Sequence, residues 1–260
     1  MPSIEIPNES PTQHVAARIP ARRARVLYRL RKWVKSILGR VPPIVDDWKP
    51  AGGSVMVIAP HPDDEVIGCG GTLLRHAAAG DHTICVYLTR GENSRGYSWY
   101  TPEQRQAKRE QEARNSSAIL QIKELIFLDG KDGNLADAEV SQNLTEKMAA
   151  IVAEKKPRLI YVPHVNDNHP DHAAAYRIIE SVVGEASTPL VYQYELWSPL
   201  TAEFAIDISK QMPAKIKAIK CHDLAMDAFD YVPTMVGLAA YRSGTSLQRS
   251  GYAEAFRKSK

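Results

Sequence analysis

The sequence predicts an α/β fold with a mostly parallel sheet, and two observations carry this prediction. Apolar strand-like runs alternate with helical patterns between residues 54 and 196, and such alternation implies right-handed crossovers between parallel strands. Clusters of His and Asp directly follow two of these runs, where the carboxyl edge of a parallel sheet normally carries a site. A Rossmann-like three-layer sandwich with its site at the C-terminal edge of the strands is therefore the expected architecture.

Hydrophobic periodicity places five strands and four helices in this region. Runs such as SVMVIA are apolar throughout, which is typical of buried strands, whereas segments such as GGTLLRHAAAG and NLTEKMAAIVAEKK have helical composition and spacing. The predicted strands are residues 54–59, 82–89, 124–128, 158–162 and 190–196, and the predicted helices are residues 70–80, 102–120, 143–156 and 169–184.

Residues 1–50 are predicted to form an arm and a linker ahead of a domain of residues 51–260. Residues 1–45 contain nine Lys or Arg and two Glu, a net charge of +7, so the remaining chain carries −4 of the total of +3. Within residues 18–40 the sequence predicts an amphipathic helix with the Arg and Lys side chains on one face and an apolar stripe on the other. The stripe consists of Val26, Leu27, Leu30, Trp33, Val34, Ile37 and Leu38.

Such a helix has two interpretations. It would pack its apolar stripe on the domain or on a sister subunit of a homo-oligomer, or it would make a peripheral contact with an anionic membrane surface. Nucleic-acid binding is not expected, because no nucleic-acid-binding motif accompanies the basic residues.

The composition indicates a soluble globular protein of the cytoplasm. The 260 residues are 44% apolar and 24% charged, and no apolar run approaches the roughly 20 residues that cross a bilayer. The first residues lack the pattern of a signal peptide, and the three scattered cysteines favour reduced thiols over disulfides. A location at the inner face of the membrane follows only if the arm binds lipid.

Two polar segments carry the chemistry. APHPDDEVIGCGGTL begins at Ala59 and ends the first strand, and PHVNDNHPDH begins at Pro163 and ends the fourth. Strands that are parallel neighbours would bring both segments to one sheet edge. Imidazole and carboxylate groups are ligands for Zn²⁺, and a divalent cation would make adjacent carboxylates favourable.

Together these segments closely resemble the zinc-dependent deacetylases of the PIG-L, or LmbE-like, family. That family includes de-N-acetylases of N-acetylglucosaminyl-phosphatidylinositol and of glucosaminyl precursors in mycothiol and bacillithiol synthesis. The resemblance covers residues 54–256 and extends to weaker matches at LTRGE, LDGKDGNL and the terminal YAEAF.

The resemblance implies a role for each residue of the two main segments. His61, Asp64 and His172 match the zinc ligands, with one ion per chain, and Fe²⁺ is the alternative metal in the cell. Asp63 matches the general base. His169 matches the charged or proton-donating partner, and the neighbouring Asp171 would orient it and raise its pKa.

Weaker matches imply the residues that bind substrate. Arg109 and Asp132 correspond to family positions that contact sugar hydroxyls, although Arg109 could equally be a surface residue of a charged helix. His222 corresponds to a family histidine, but Leu-Ala follows it here in place of Ser-Gln. We expect it at the rim of the site.

The predicted function is hydrolysis of the N-acetyl group of an N-acetylglucosamine-type amino sugar or glycoconjugate. The basic arm extends this prediction to a lipid- or diphosphate-linked sugar. One alternative is an amidase that acts on a sugar–thiol conjugate. Another, from a different class, is a non-catalytic Rossmann-like nucleotide-binding protein, which Gly68, Gly70 and Gly71 suggest, although their spacing differs from G-x-G-x-x-G.

Overall fold

The computed structural model describes residues 48–184 and 189–259. The predicted basic arm therefore lies outside the described residues, except for the end of its linker. The strands are β1 (Ser54–Ala59), β2 (His82–Thr89), β3 (Glu124–Gly130), β4 (Leu159–Pro163), β5 (Leu190–Tyr194), β6 (Phe204–Asp207) and β7 (Ala253–Lys258). The helices are α1 (Asp64–Ala78), α2 (Pro102–Leu120), α3 (Ala138–Lys155), α4 (Pro170–Val183), α5 (Met212–Ile219), α6 (Asp223–Ala228) and α7 (Val232–Arg242).

The sheet confirms the predicted α/β class and its mostly parallel topology. Its strand order is β3-β2-β1-β4-β5-β7-β6, and the first five of these pair in parallel, whereas β7 pairs antiparallel with both β5 and β6. The chain runs from β1 towards β2 on one side and later returns to β4 on the other. Ligands bind at such a switch point in open α/β sheets, and both polar segments follow these two central strands.

Helices cover the sheet on both faces and complete the expected three layers. Alternate residues of β1 face opposite layers, with Val55 and Val57 in one apolar cluster and Met56 and Ile58 in the other. The first cluster includes residues of α1, α2, α5 and α7, and the second includes residues of α3 and α4. The central strands are thus buried on both faces, as their continuous apolar character predicts.

Two features of the fold differ from the sequence-based expectation. Helix α1 begins at Asp64 instead of residue 70, and Cys69 interrupts it with a non-helical φ of −142°. Strands β6 and β7 were not predicted, because the residues that pair between these two antiparallel strands lie about fifty positions apart in the chain. Local periodicity carries little information about such non-local pairing.

The described residues agree with the predicted redox state of the thiols. Cys69, Cys85 and Cys221 are all free, and the first two are buried. None of the helices in residues 48–184 and 189–259 has both the length and the apolar character needed to cross a membrane.

Candidate metal centre and active site

The loop after β1 presents the first half of the site. His61 and Asp64 are tied together, since the His61 backbone N–H donates to Asp64 Oδ2 at 2.9 Å and the Asp64 N–H donates to the His61 carbonyl at 3.2 Å. Between them, Asp63 has a φ of 140°, a conformation that is strained for a residue with a Cβ atom. Such strain concentrates at functional sites.

The second polar segment meets this loop at the start of α4. One ligand atom from each of His61, Asp64 and His172 lies within 4.8 Å of the others, so these three side chains could hold a metal ion. We call them the metal triad. His61 Nδ1 lies 3.1 Å from Asp64 Oδ2, and His172 Nε2 lies 3.4 Å from the same oxygen. The expected meeting of the two segments at one sheet edge is therefore observed.

The hydrogen bonds of His172 fit a divalent cation. Its Nδ1 lies 3.0 Å from Asp167 Oδ1, whereas its Nε2 is buried and has no hydrogen-bond partner. A carboxylate on one imidazole nitrogen fixes the tautomer and leaves the other nitrogen as a ligand, which is the usual outer support of a metal-binding histidine. Two imidazoles and one carboxylate also match the donors of open metal sites with three protein ligands.

The charges around His61 explain why the site needs a cation. Burial lowers the pKa of His61, but contacts with Asp132, Asp171 and Asp64 outweigh it and hold the pKa well above the usual value. Burial likewise disfavours the charged His172, yet Asp64 and Asp167 raise its pKa to about 9. The protein thus surrounds the triad with more negative charge than its own fixed cations balance.

Asp63, the predicted general base, is held by two partners from other elements. Arg109 of α2 contacts both carboxylate oxygens, at 3.1 and 3.2 Å, and the Tyr231 hydroxyl donates to Oδ2 at 2.9 Å. Burial raises the pKa of Asp63 despite the guanidinium of Arg109. A carboxylate that is oriented in this way beside the triad, and is not part of it, has the geometry of a general base.

The structure corrects one alternative for Arg109 and leaves its predicted role open. Arg109 is only 3% exposed, so it is not the surface residue of a charged helix. Its guanidinium lines the cavity of the site while it holds Asp63. Contact with sugar hydroxyls stays a prediction.

Asp132, the second predicted sugar contact, also lies in the site. Its Oδ1 is 3.2 Å from His61 Nε2, and its other oxygen accepts the Asn93 backbone N–H at 2.9 Å. Asp132 lines the same cavity as His61 and Asp64. Its direct contact with a sugar stays a prediction.

The expected relation between Asp171 and His169 is wrong in its detail. The Asp171 carboxylate accepts the backbone N–H groups of Gly133 and Leu135 and contacts His61 Nε2. His169 Nδ1 accepts the backbone N–H of Asp171 at 3.2 Å instead. Burial and the neighbouring His61 and His172 lower the pKa of His169, and they outweigh the raising effect of the Asp171 charge. His169 itself lines the cavity, as a proton-donating partner requires.

His222 is not at the rim of the site. Its side chain is fully buried, and neither ring nitrogen has a hydrogen-bond partner. Burial and the nearby Arg109 lower its pKa to about 3. The side chain does not line the cavity of the site.

The cavity above the triad measures about 280 Å³ and has two unlike walls. Trp197, Phe229 and Tyr231 form an aromatic wall, and residues 93–95 of the loop after β2 form a polar one. The loop after β2 therefore borders the mouth, and Trp99 of the same loop stacks on Tyr97. The lining residues are His61, Asp63, Asp64, Gly91, Asn93, Ser94, Arg95, Arg109, Asp132, His169, Trp197, Ala225, Phe229 and Tyr231.

Sequence reasoning missed two supporting residues. Asp167 stands inside the second polar segment, five positions before His172, so the mixture of His and Asp there was a signal for it. It also accepts the backbone N–H groups of Trp197 and Ser198. Tyr231 precedes α7 and had no signal, because nothing in its neighbourhood distinguishes it from a core aromatic residue.

Comparison with known proteins agrees with this geometry. The sequence profile of the PIG-L family, described as GlcNAc-PI de-N-acetylase, matches residues 56–183. A diacetylchitobiose deacetylase of Thermococcus kodakarensis is 25% identical over 223 residues, which cover 78% of this chain and 82% of the relative.

Two solved structures are similar in fold. A conserved protein of Thermus thermophilus has 30% identity and a TM-score of 0.68, over 79% of this chain and 94% of that one. The N,N'-diacetylchitobiose deacetylase of Pyrococcus horikoshii has 22% identity and a TM-score of 0.69, over 89% and 92% of the two chains. Because the two polar segments, the fold and the similarity to these relatives all agree, the chain belongs to the PIG-L, or LmbE-like, family of de-N-acetylases.

Proposed function

We propose that this protein is a zinc-dependent hydrolase that removes the N-acetyl group from an N-acetylglucosamine-type amino sugar or glycoconjugate. The observation that carries the proposal is the metal triad of His61, Asp64 and His172 beside the separately held carboxylate of Asp63. The diacetylchitobiose deacetylase relative and the family profile support the same reaction type.

The metal triad would hold the ion, and the choice of zinc rests on its donors. Two imidazoles and one carboxylate suit Zn²⁺, while Fe²⁺ is the alternative with similar ligands. A bound Zn²⁺ supplies Lewis acidity and lowers the pKa of water towards about 7.

Asp63 would take the proton of the attacking water and return it to the leaving amine. Its contacts with Arg109 and Tyr231 fix the carboxylate before substrate arrives, so no side-chain ordering is needed during the reaction. His169, which lines the cavity, would stabilise the charge that develops on the acetyl oxygen.

The cavity supports a glycoconjugate as substrate. Aromatic rings at Trp197 and Phe229 offer faces for the apolar side of a pyranose, and Asp132 offers a carboxylate for its hydroxyls. We also assign Arg109, which lines the cavity, to sugar binding on the family pattern. Neither the sugar–thiol amidase nor the nucleotide-binding alternative corresponds to the relatives described above.

The mouth of the cavity favours an anionic aglycone. Arg95 lines the cavity mouth and makes no ion pair with the described residues. Its guanidinium could therefore form an ion pair with an anionic lipid- or diphosphate-linked aglycone. Such a substrate would place the protein at the cytoplasmic face of a membrane, with residues 18–40 as a peripheral contact. Deletion of residues 1–45 should then weaken partitioning onto anionic vesicles, and unchanged partitioning would contradict the membrane contact.

Acetate release across a panel of N-acetylated sugars tests the function. The panel contains neutral diacetylchitobiose and N-acetylglucosamine carrying a phosphate or diphosphate at its anomeric carbon. We expect about one zinc per chain and acetate release that zinc restores after chelation. A purified chain without metal, and without activity when zinc is added, would overturn the proposal.

A further inference from the structure

Helix α1 is broken a short distance after the loop that follows β1 and carries His61. A buried ion pair occupies the break. Cys69 departs from helical geometry, which divides α1 into a first turn that carries Asp64 and a second part that begins near Gly71. Lys215 of α5 and Glu254 of β7 lie in contact here at 2.6 Å, and both side chains are 3% exposed. We call this pair the α1 clamp.

The clamp replaces a hydrogen bond of the helix. In a continuous α-helix the Gly71 N–H would donate to the carbonyl of Ile67, four residues earlier. Instead, Glu254 accepts the Gly71 N–H at 2.9 Å and Lys215 Nζ donates to the Ile67 carbonyl at 2.7 Å. Glu254 also accepts the N–H and the hydroxyl of Thr72, at 2.7 and 2.6 Å. The ion pair is therefore inserted into the backbone ladder, and such insertions kink helices.

Packing gives the broken helix little freedom to move. A Cβ atom at Gly68 would lie 2.1 Å from the Tyr194 ring, and one at Gly71 would lie 2.6 Å from Ile208. The Tyr194 hydroxyl in turn donates to the Ile58 carbonyl in β1 at 2.8 Å. The first turn of α1 is thus fixed between the end of β1 and the clamp.

We propose that Lys215 and Glu254 are positioning residues that set the angle of the first turn of α1 and thereby bring Asp64 into the metal triad. The role of the clamp in turnover rests on the proposed function, but its role in metal affinity does not. Neither side chain lines the cavity of the site, so they act through the backbone of residues 67–72. Outer groups that orient metal ligands typically change metal affinity about 10- to 100-fold.

The experiment measures Zn²⁺ affinity by competition with a chelator in Glu254→Gln and in the double variant Lys215→Met/Glu254→Leu. Removing one partner of a buried pair is strongly destabilising, so the double variant covers the case in which the single variant does not fold. It lets the Gly71 N–H return to the Ile67 carbonyl. We expect both variants, once circular dichroism shows that they are folded, to bind Zn²⁺ at least about tenfold more weakly than the wild type. Their kcat should fall by a larger factor than their KM changes.

Asp81→Asn provides a matched control in the turn after the same helix. Asp81 is buried, accepts the backbone N–H groups of Ala51 and Gly52, and pairs with His76 near the far end of α1. This variant should lose stability while it keeps wild-type Zn²⁺ affinity and kcat.

The outcomes separate the two proposals. A folded double variant with Zn²⁺ affinity and kcat within twofold of the wild type would overturn the positioning role and leave the deacetylase proposal intact. A wild-type chain that binds Zn²⁺ and releases no acetate, with weaker binding in the variants, would overturn the reaction and leave the positioning role intact.

Discussion

The two edges of the central sheet both bury histidine beside aspartate, yet among the described residues only the carboxyl edge gathers side chains that could hold a metal ion. At the amino edge, His76 Nδ1 lies 2.7 Å from Asp81 and His76 Nε2 lies 2.9 Å from the Tyr161 hydroxyl. Both ring nitrogens are therefore satisfied. At the carboxyl edge, His172 Nδ1 lies against Asp167, whereas its Nε2 is buried without a hydrogen bond, 3.4 Å from Asp64 Oδ2.

The charge balance differs in the same way. The carboxylate of Asp81 is stabilised by His76 and by backbone N–H groups. The polar groups at the amino edge are therefore satisfied by the protein itself. Around His61 the carboxylates of Asp64, Asp132 and Asp171 all lie within 3.2 Å of a ring nitrogen. A buried His–Asp contact is thus not itself a sign of metal binding. The sign is an excess of ligands that the protein leaves unsatisfied.

The largest expected effect is the loss of the metal in His172→Ala. Removing one of three ligands should weaken Zn²⁺ binding by more than the roughly 100-fold that outer groups cause, and acetate release should disappear with it. Competition with a chelator and metal analysis measure this loss. His76→Ala is the control at the other edge, and equal loss of Zn²⁺ in both variants would contradict the comparison.

Asp63→Asn should separate metal binding from turnover. The amide keeps the size of the carboxylate but cannot take a proton, so kcat should fall by about 10²- to 10⁴-fold. Zn²⁺ affinity should stay close to that of the wild type, because Asp63 is not a member of the triad. Steady-state acetate release and metal content test this, and near-normal kcat would show that Asp63 is not the base.

Asp167→Asn should have an intermediate effect. Asp167 fixes the ring of His172 and also binds two backbone N–H groups of the next loop. An amide there still fills the space but no longer favours the Nδ1–H tautomer, so Zn²⁺ affinity should fall about 10- to 100-fold. Chelator competition measures it. Unchanged affinity would mean that His172 is oriented by its packing alone.

The smallest effect concerns the pH dependence of stability at the amino edge. Burial lowers the pKa of His76 despite its contact with Asp81, so the folded state favours neutral His76. Its stabilising contribution is therefore complete above the unfolded pKa of about 6.5 and is lost as pH falls through the lower folded value.

The wild type should accordingly lose more thermal stability between pH 7 and pH 5 than His76→Gln, because glutamine does not titrate and the unfolded histidine pKa of about 6.5 lies in this range. Melting curves of both chains over this range measure the difference. Parallel curves would show that His76 titrates as in the unfolded chain.

Sequence reasoning went furthest where the pattern is local. The strand SVMVIA is apolar because both of its faces are buried, and HPDDE follows it directly. These facts together predicted β1, the loop after it and the polar cluster at the sheet edge. The second segment after β4 predicted its partner, since β1 and β4 are parallel neighbours.

The remaining site residues depended on contacts that no local pattern records. Arg109 and Tyr231 converge on Asp63 from positions 46 and 168 residues away. Asp171 turned out to serve His61 and the loop of Gly133 instead of His169. A carboxylate has several acceptor positions, and only the packing of elements decides which donors reach them.

The sequence by itself therefore determined the α/β class, the parallel core and the two polar segments whose side chains form the metal triad. These follow from hydrophobic period and from residue type, which act over a few neighbouring positions. The tertiary structure alone decided the partners of Asp63, the burial of His222, the two antiparallel strands β6 and β7, and the ion pair at the break of α1. Each of these is a contact between distant segments, and its energy exists only once the chain has folded around it.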